Sequence, residues 1–133
     1  MIGLDTNVLV RLFAADDRVQ TDAARRLIDE ADESAFVNIV TVVELLWVLR
    51  RAYRVDDDRL TVVVRKLTEH PRIVCGEKDL MREAAHRSKE NGEDMPDAII
   101  ALLNKRAGCR TTFTFDREAA YGDDFTLISM GDR

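Results

Sequence analysis

The chain has 133 residues, 46% of them apolar and 34% charged, with a formal net charge of -5, enough for one domain with its own core and the wrong sign for a protein that grips nucleic acid by broad positive charge. No run of about 18 apolar residues offers a membrane span, and the opening MIGLDTN has no basic region ahead of a long apolar one, so the expectation is a single cytoplasmic domain over 1–133 with no membrane partner. Two histidines, and two cysteines without ligand spacing, exclude a metal site built on imidazole or thiolate and leave oxygen to hold any cation.

The first seven residues organise the rest of the chain. Ile2 to Asp5 reads as a buried strand that ends on a carboxylate, with Thr6 and Asn7 directly after it, and Asn7 to Phe13 as a short helix. Val19 to Ala31 repeats apolar residues at helical spacing through Val19, Ala23, Leu27, Ile28 and Ala31. Ala35 to Val40 is a second strand. Thr41 to Tyr53 is a helix so apolar, from Val42 through Leu49, that burial on most sides is expected, with a homodimer contact as its second cover. Asp56, Asp57 and Asp58 open a helix with the stripe Leu60, Val63, Val64 and Leu67, ended by His70-Pro71.

Arg72 to Cys75 is the third strand, and Lys78 to Glu90 the next helix, closed by Asn91-Gly92. Pro96 opens a helix that stops at Gly108. Thr111 to Phe115 is the fourth strand, Asp116 leads into a short helix, and Phe125 to Ser129 is the last strand. Strands alternating with helices imply a mostly parallel sheet covered on both faces, with right-handed crossovers. Ligands of such sheets lie beyond the carboxyl ends of the strands.

Four acidic positions fall there, and each has an ordinary structural explanation beside a functional one. Asp5 suits an N-cap, yet two further polar residues share its strand end. Glu44 completes the capping-box pattern Thr41-Val42-Val43-Glu44, yet it sits in the most apolar helix, where a buried glutamate needs a partner. Asp94 and Asp97 flank Pro96 in one helical turn; a cap and the helix dipole explain one of them readily, which makes Asp97 the ligand candidate and Asp94 the cap or support.

Asp116 ends a strand in which Thr112 and Thr114 alternate with Phe113 and Phe115, so that a hydroxyl lies close to it; a turn-forming aspartate is the plainer reading. Carboxylates gathered in one place repel by ~4 kcal/mol per pair at 4 Å and an effective dielectric of 20. A cation offsets this, and oxygen ligands select Mg²⁺ or Mn²⁺, which polarise a phosphate and acidify a bound water. No phosphate loop of the form G-x-x-x-x-G-K-[ST] or G-x-G-x-x-G is present. Arg11, Arg50, Arg51, Arg54, Arg110 and Arg117 are the cations available to meet nucleic acid, against the plainer reading of solvated surface.

D-T-N after the first strand, the isolated glutamate, D-M-P-D-A-I-I-A-L-L and T-F-D-R together resemble the PIN-domain family, and the small size and spacing are similar to its VapC-type toxins of bacterial and archaeal toxin–antitoxin pairs. The resemblance implies a PIN-like three-layer α/β/α sandwich on a mostly parallel five-stranded sheet, and a metal-dependent endoribonuclease that leaves 3′-hydroxyl and 5′-phosphate ends. It makes Asp5, Glu44, Asp97 and Asp116 the catalytic, Mg²⁺- or Mn²⁺-binding acids, Asp94 an accessory acid, and Thr6, Asn7 and Thr114 the polar residues beside them. Met95-Pro96 departs from the commoner Phe-Ala before the third acid. The resemblance further implies an RNA substrate, a homodimer, and a cognate antitoxin whose tail covers the site in a larger complex. An RNA-processing PIN nuclease that is not a toxin, and a non-catalytic PIN-like binding module, are the alternatives. A phosphatase of the haloacid-dehalogenase type would place a second aspartate where Asn7 stands, and a response receiver would carry its phosphorylated aspartate at a later strand end with a lysine near the final strand; neither pattern is present.

Overall fold

Short polar side chains decide where the strands stop and the helices begin. The computed structural model describes residues 1–131, the side chain of Tyr121 excepted. Its elements run β1 (Ile2–Gly3), α1 (Thr6–Ala14), α2 (Arg18–Glu30), β2 (Ala35–Val37), α3 (Ile39–Tyr53), α4 (Asp57–Glu69), β3 (Ile73–Cys75), α5 (Lys78–Asn91), α6 (Met95–Arg106), β4 (Thr112–Thr114), a single 3-10 turn (Ala119–Tyr121) and β5 (Phe125–Leu127). Asp17, Asn38, Asp56 and Asp94 each stand in extended backbone ahead of a helix and accept a hydrogen bond from the amide three residues on. Such a cap contributes about 1 kcal/mol. Asp5 caps α1 from the adjacent Thr6 amide instead. At the other end of α5, Gly92 takes a left-handed φ of 69° and returns its N–H to the Ser88 carbonyl, a conformation that favours glycine.

These caps also explain why β1 and β2 are shorter than their apolar runs. β1 is cut off by Asp5 and β2 by Asn38, because each of those residues already belongs to the next helix. Asn38 accepts from the Thr41 amide at 2.9 Å, so α3 starts at Ile39 and not at Thr41. Glu44 therefore lies well inside the helix and is no part of a capping box.

β1, β2 and β3 pair in parallel in that order, with Ile2 opposite Ala35 and Ala35 opposite Ile73. β4 and β5 pair in parallel with Thr112 opposite Phe125. α1 packs on α2 and α3, while α5 packs on α4 and α6. The arrangement is a three-layer α/β/α fold whose five strands pair in parallel as a three-stranded and a two-stranded group, with no ladder between the two groups among the described residues in place of the continuous five-stranded sheet expected. Leu9, Val37, Val42, Leu45, Leu46, Leu49, Leu60, Leu67, Met81, Met95 and Ile99 are fully buried in its core, each leucine contributing about 2 kcal/mol of burial. Arg72 fastens β3 to the end of α2: its guanidinium donates to the carbonyls of Ile28 (2.6 Å) and Ala31, groups that the helix itself cannot satisfy.

The expectation that α3 is buried on most sides is corrected. Its inner face, Val42, Leu45, Leu46 and Leu49, is buried, but Val40, Glu44 and Trp47 are exposed. The Trp47 ring is roofed by the Arg51 guanidinium at 4.3 Å, a cation–π contact that lets an aromatic side chain stand partly in water.

Candidate active site

At the end of β1, the capping geometry of Asp5 leaves part of its carboxylate uncommitted. Oδ1 accepts from the Thr6 amide at 2.8 Å, and the residue is exposed. Thr6 is buried, and its hydroxyl donates to Glu44 Oε2 at 2.8 Å. The bond spans from the first turn of α1 to α3 and sets the carboxylate of Glu44 beside the strand end that carries Asp5. Glu44 is exposed rather than buried, so no desolvation penalty forces a partner on it; its orientation comes from the threonine. Asn7 is exposed on the first turn of α1.

The second group of acids sits where α6 begins and β4 ends. Asp94 has both oxygens engaged. Oδ1 caps the helix through the Asp97 amide at 3.0 Å, and Oδ2 pairs with Arg50, whose other terminal nitrogen pairs with Asp57. Asp97 is half-buried in the first turn of α6. Burial, then the like charges of Asp94 and Asp116, push its carboxyl up to about 6, against the pull of Arg50. Asp116 is exposed and accepts from the amides of Glu118 at 2.9 Å and Ala119 at 3.4 Å, while the Thr114 hydroxyl accepts from the Asp116 amide at 3.0 Å. The turn after β4 is thus built on Asp116 and Thr114 together.

Asp94, Asp97 and Asp116 line one cavity of about 870 Å³. Its walls also carry Asp57, Glu93, Glu118, Asp123 and Asp124, with Arg50 as the one cation among the lining residues. Glu93, Glu118, Asp123 and Asp124 are acids that sequence reasoning did not single out; they lie in turns, with no periodicity to place them. Asp124 is the buried one. Burial opposes its charge, but Lys105 and Arg87 outweigh that and hold its carboxyl below the ordinary aspartate value. It ties β5 to α5 and α6, as the Asn104 amide bond to the Thr112 hydroxyl ties β4 to α6 (3.0 Å).

The structure therefore joins the sequence-derived residues in two groups: Asp5, Thr6 and Glu44 at the end of β1, and Asp94, Asp97, Thr114 and Asp116 around the cavity. Asp5 and Glu44 are not part of the cavity lining. Among the described residues, no three or more His, Cys, Asp or Glu side chains already stand together as a ready metal-holding set. The chemistry of the donors nevertheless fits a hard divalent cation: all are carboxylate oxygens, and Asp97 is a half-buried acid facing two other acids, an arrangement short of positive charge. The lining offers no histidine or cysteine to a softer metal. No helix of the described residues is long and apolar enough to cross a membrane.

A family model for the PIN domain matches residues 2–123 of the chain. The curated proteins offer no match.

Proposed function

The chain belongs to the PIN domain family, a nuclease-type fold, and on that premise we propose that it is a divalent-metal-dependent endoribonuclease acting on single-stranded or structured RNA. The observation that carries this reading is the acid-lined cavity at the junction of α6 and β4, with Asp97 and Asp116 on its wall. In this reading Asp97 and Asp116 would hold Mg²⁺ or Mn²⁺ together with Asp5 and Glu44. Thr6 aims Glu44, and Asp94 fixes the first turn of α6 and with it the backbone of Asp97. A bound divalent ion supplies Lewis acidity toward the phosphate and lowers the pKa of water. Arg50, held between Asp94 and Asp57, is the one cation among the cavity's lining residues that would meet a phosphate oxygen.

The small size and the spacing of the acids favour the toxin of a VapBC-like pair over an RNA-processing nuclease. A cognate antitoxin would then present a basic segment to the acidic cavity, and the chain would pair with a second copy of itself by a surface that leaves Glu44 open. The test is cleavage of a labelled RNA with Mn²⁺ and with excess chelator. Metal-dependent cleavage by the unaltered chain, abolished in Asp5→Asn and in Asp97→Asn with the fold retained by circular dichroism, is expected. Full activity in both variants, or no cleavage with any divalent metal, overturns the assignment.

A further inference from the structure

β4 and the bend that follows it turn two phenylalanines to solvent: Phe113, in the strand, is 55% exposed and Phe115, at the bend, is 67% exposed. The threonines that alternate with them are engaged elsewhere, Thr112 with Asn104 of α6 and Thr114 with the turn of Asp116. On the phenylalanine side, Thr126 is the register partner of Phe113, and its hydroxyl meets that of Thr111 at 2.7 Å. The chain bends at Phe115 and runs straight into Asp116. A cation stands at each end of this stretch. Arg110 and Arg117 are exposed, and neither takes part in an ion pair or side-chain hydrogen bond among the described residues.

We propose that Phe113 and Phe115 form a stacking platform for the bases of single-stranded RNA, with Arg110 and Arg117 holding phosphates on either side of it. The proposal rests on the nuclease reading and gives that site a way to bind RNA in a chain of net negative charge. Stacking needs no net positive field, because every base offers a π face to an aromatic ring. Residues two apart along a chain are separated by at most about 7 Å, near twice the about 3.4 Å spacing of stacked bases, so the two rings are close enough to serve one base or two neighbouring ones. The solvent-facing area of the two rings is roughly 250 Å². A stable protein contact buries about 800 Å² on each partner, so the patch is far too small to be a subunit interface by itself and matches the faces of two nucleobases. Its arginines, exposed and without an ion-pair partner among the described residues, suit a polyanion rather than an apolar protein surface.

The platform is tested by titrating the full chain, in chelator so that nothing is cleaved, into a short single-stranded RNA carrying an aminopurine. The unaltered chain should quench the aminopurine fluorescence on binding. A Phe113→Leu/Phe115→Leu double variant should bind about tenfold or more weakly, and Phe115→Trp should retain binding. An abasic RNA of the same length should bind the unaltered chain and the double variant alike. The rings are exposed, so melting temperatures should agree and a folding defect cannot imitate the result. Equal affinity of the double variant for the aminopurine RNA overturns the platform, as does absence of binding by the unaltered chain, or a change from dimer to monomer in sedimentation without a change in RNA affinity. Failure of the nuclease reading looks different: the unaltered chain quenches and binds but does not cleave when Mn²⁺ is supplied.

Discussion

Replacing Asp97 by asparagine should make the metal-free protein more stable while removing activity, and the size of the gain is set by its surroundings. The carboxyl rises from 3.8 to about 6 through burial and the charges of Asp94 and Asp116. At 1.36 kcal/mol per pH unit, the ionised carboxylate destabilises the folded chain at neutral pH by at most about 3 kcal/mol. Partial exposure and solvent screening reduce this to about 1.5 kcal/mol. Asparagine gives up the favourable placement of a negative charge in the first turn of α6, about 0.5 kcal/mol. The net expectation is a gain of about 1 kcal/mol, or about 3 °C in Tm, measured by urea and thermal unfolding in chelator at neutral pH.

The sign with pH is fixed by the same shift. A carboxyl raised in the folded state leaves the native protein holding more protons than the unfolded chain between 3.8 and about 6, so stability falls as pH rises across that window and the loss is complete above it. Asp97→Asn should lack this fall. Adding Mn²⁺ should raise the melting temperature of the unaltered chain more than that of the variant. A destabilised variant in chelator, or an unchanged pH slope, would refute the view that Asp97 is an acid held at a cost for its chemistry.

Thr6→Val should lower RNA cleavage by about tenfold, because removing the hydroxyl that aims Glu44 releases its carboxylate, while Thr6→Ser keeps most of the activity; initial rates at saturating Mn²⁺ check this. Arg72→Ala should lower stability by about 1–2 kcal/mol in urea unfolding, since it strips the carbonyls of Ile28 and Ala31 of their donor. Asp124→Ala should cost about 2 kcal/mol at neutral pH, because the residue is 8% exposed and anchors Arg87 and Lys105. The Asp124 carboxyl lies below its ordinary value in the folded state. Its contribution is therefore present above the unfolded aspartate range and lost as pH falls through the folded one, so the unaltered chain and the variant should converge in acid.

The elements were legible where one local signal decided them. The apolar run closed by Asp5 marked β1, and the stripe from Leu60 to Leu67 marked α4. The Thr/Phe alternation of β4 announced that Asp116 stands at a strand end beside a hydroxyl. The reading of Thr41 and Glu44 as a capping box failed because Asn38 competes for the Thr41 amide and begins the helix sooner. Burial of Glu44 failed because a helix can be apolar nearly all round and still set one side in water, as Trp47 under Arg51 shows. Glu93, Glu118 and Asp123 escaped notice because their place depends on turns. Asp124 escaped because its cations, Arg87 and Lys105, are 37 and 19 positions away in the chain.

The proposed metal site requires acids from both halves of the chain to meet at one ion, and a crystal grown with Mn²⁺ measures that directly through anomalous scattering. The result predicted is an Mn²⁺ peak within coordinating distance of the carboxylates of Asp5, Glu44, Asp97 and Asp116. A peak held only by Glu118, Asp123 or other rim acids, or no peak at saturating Mn²⁺, would contradict it.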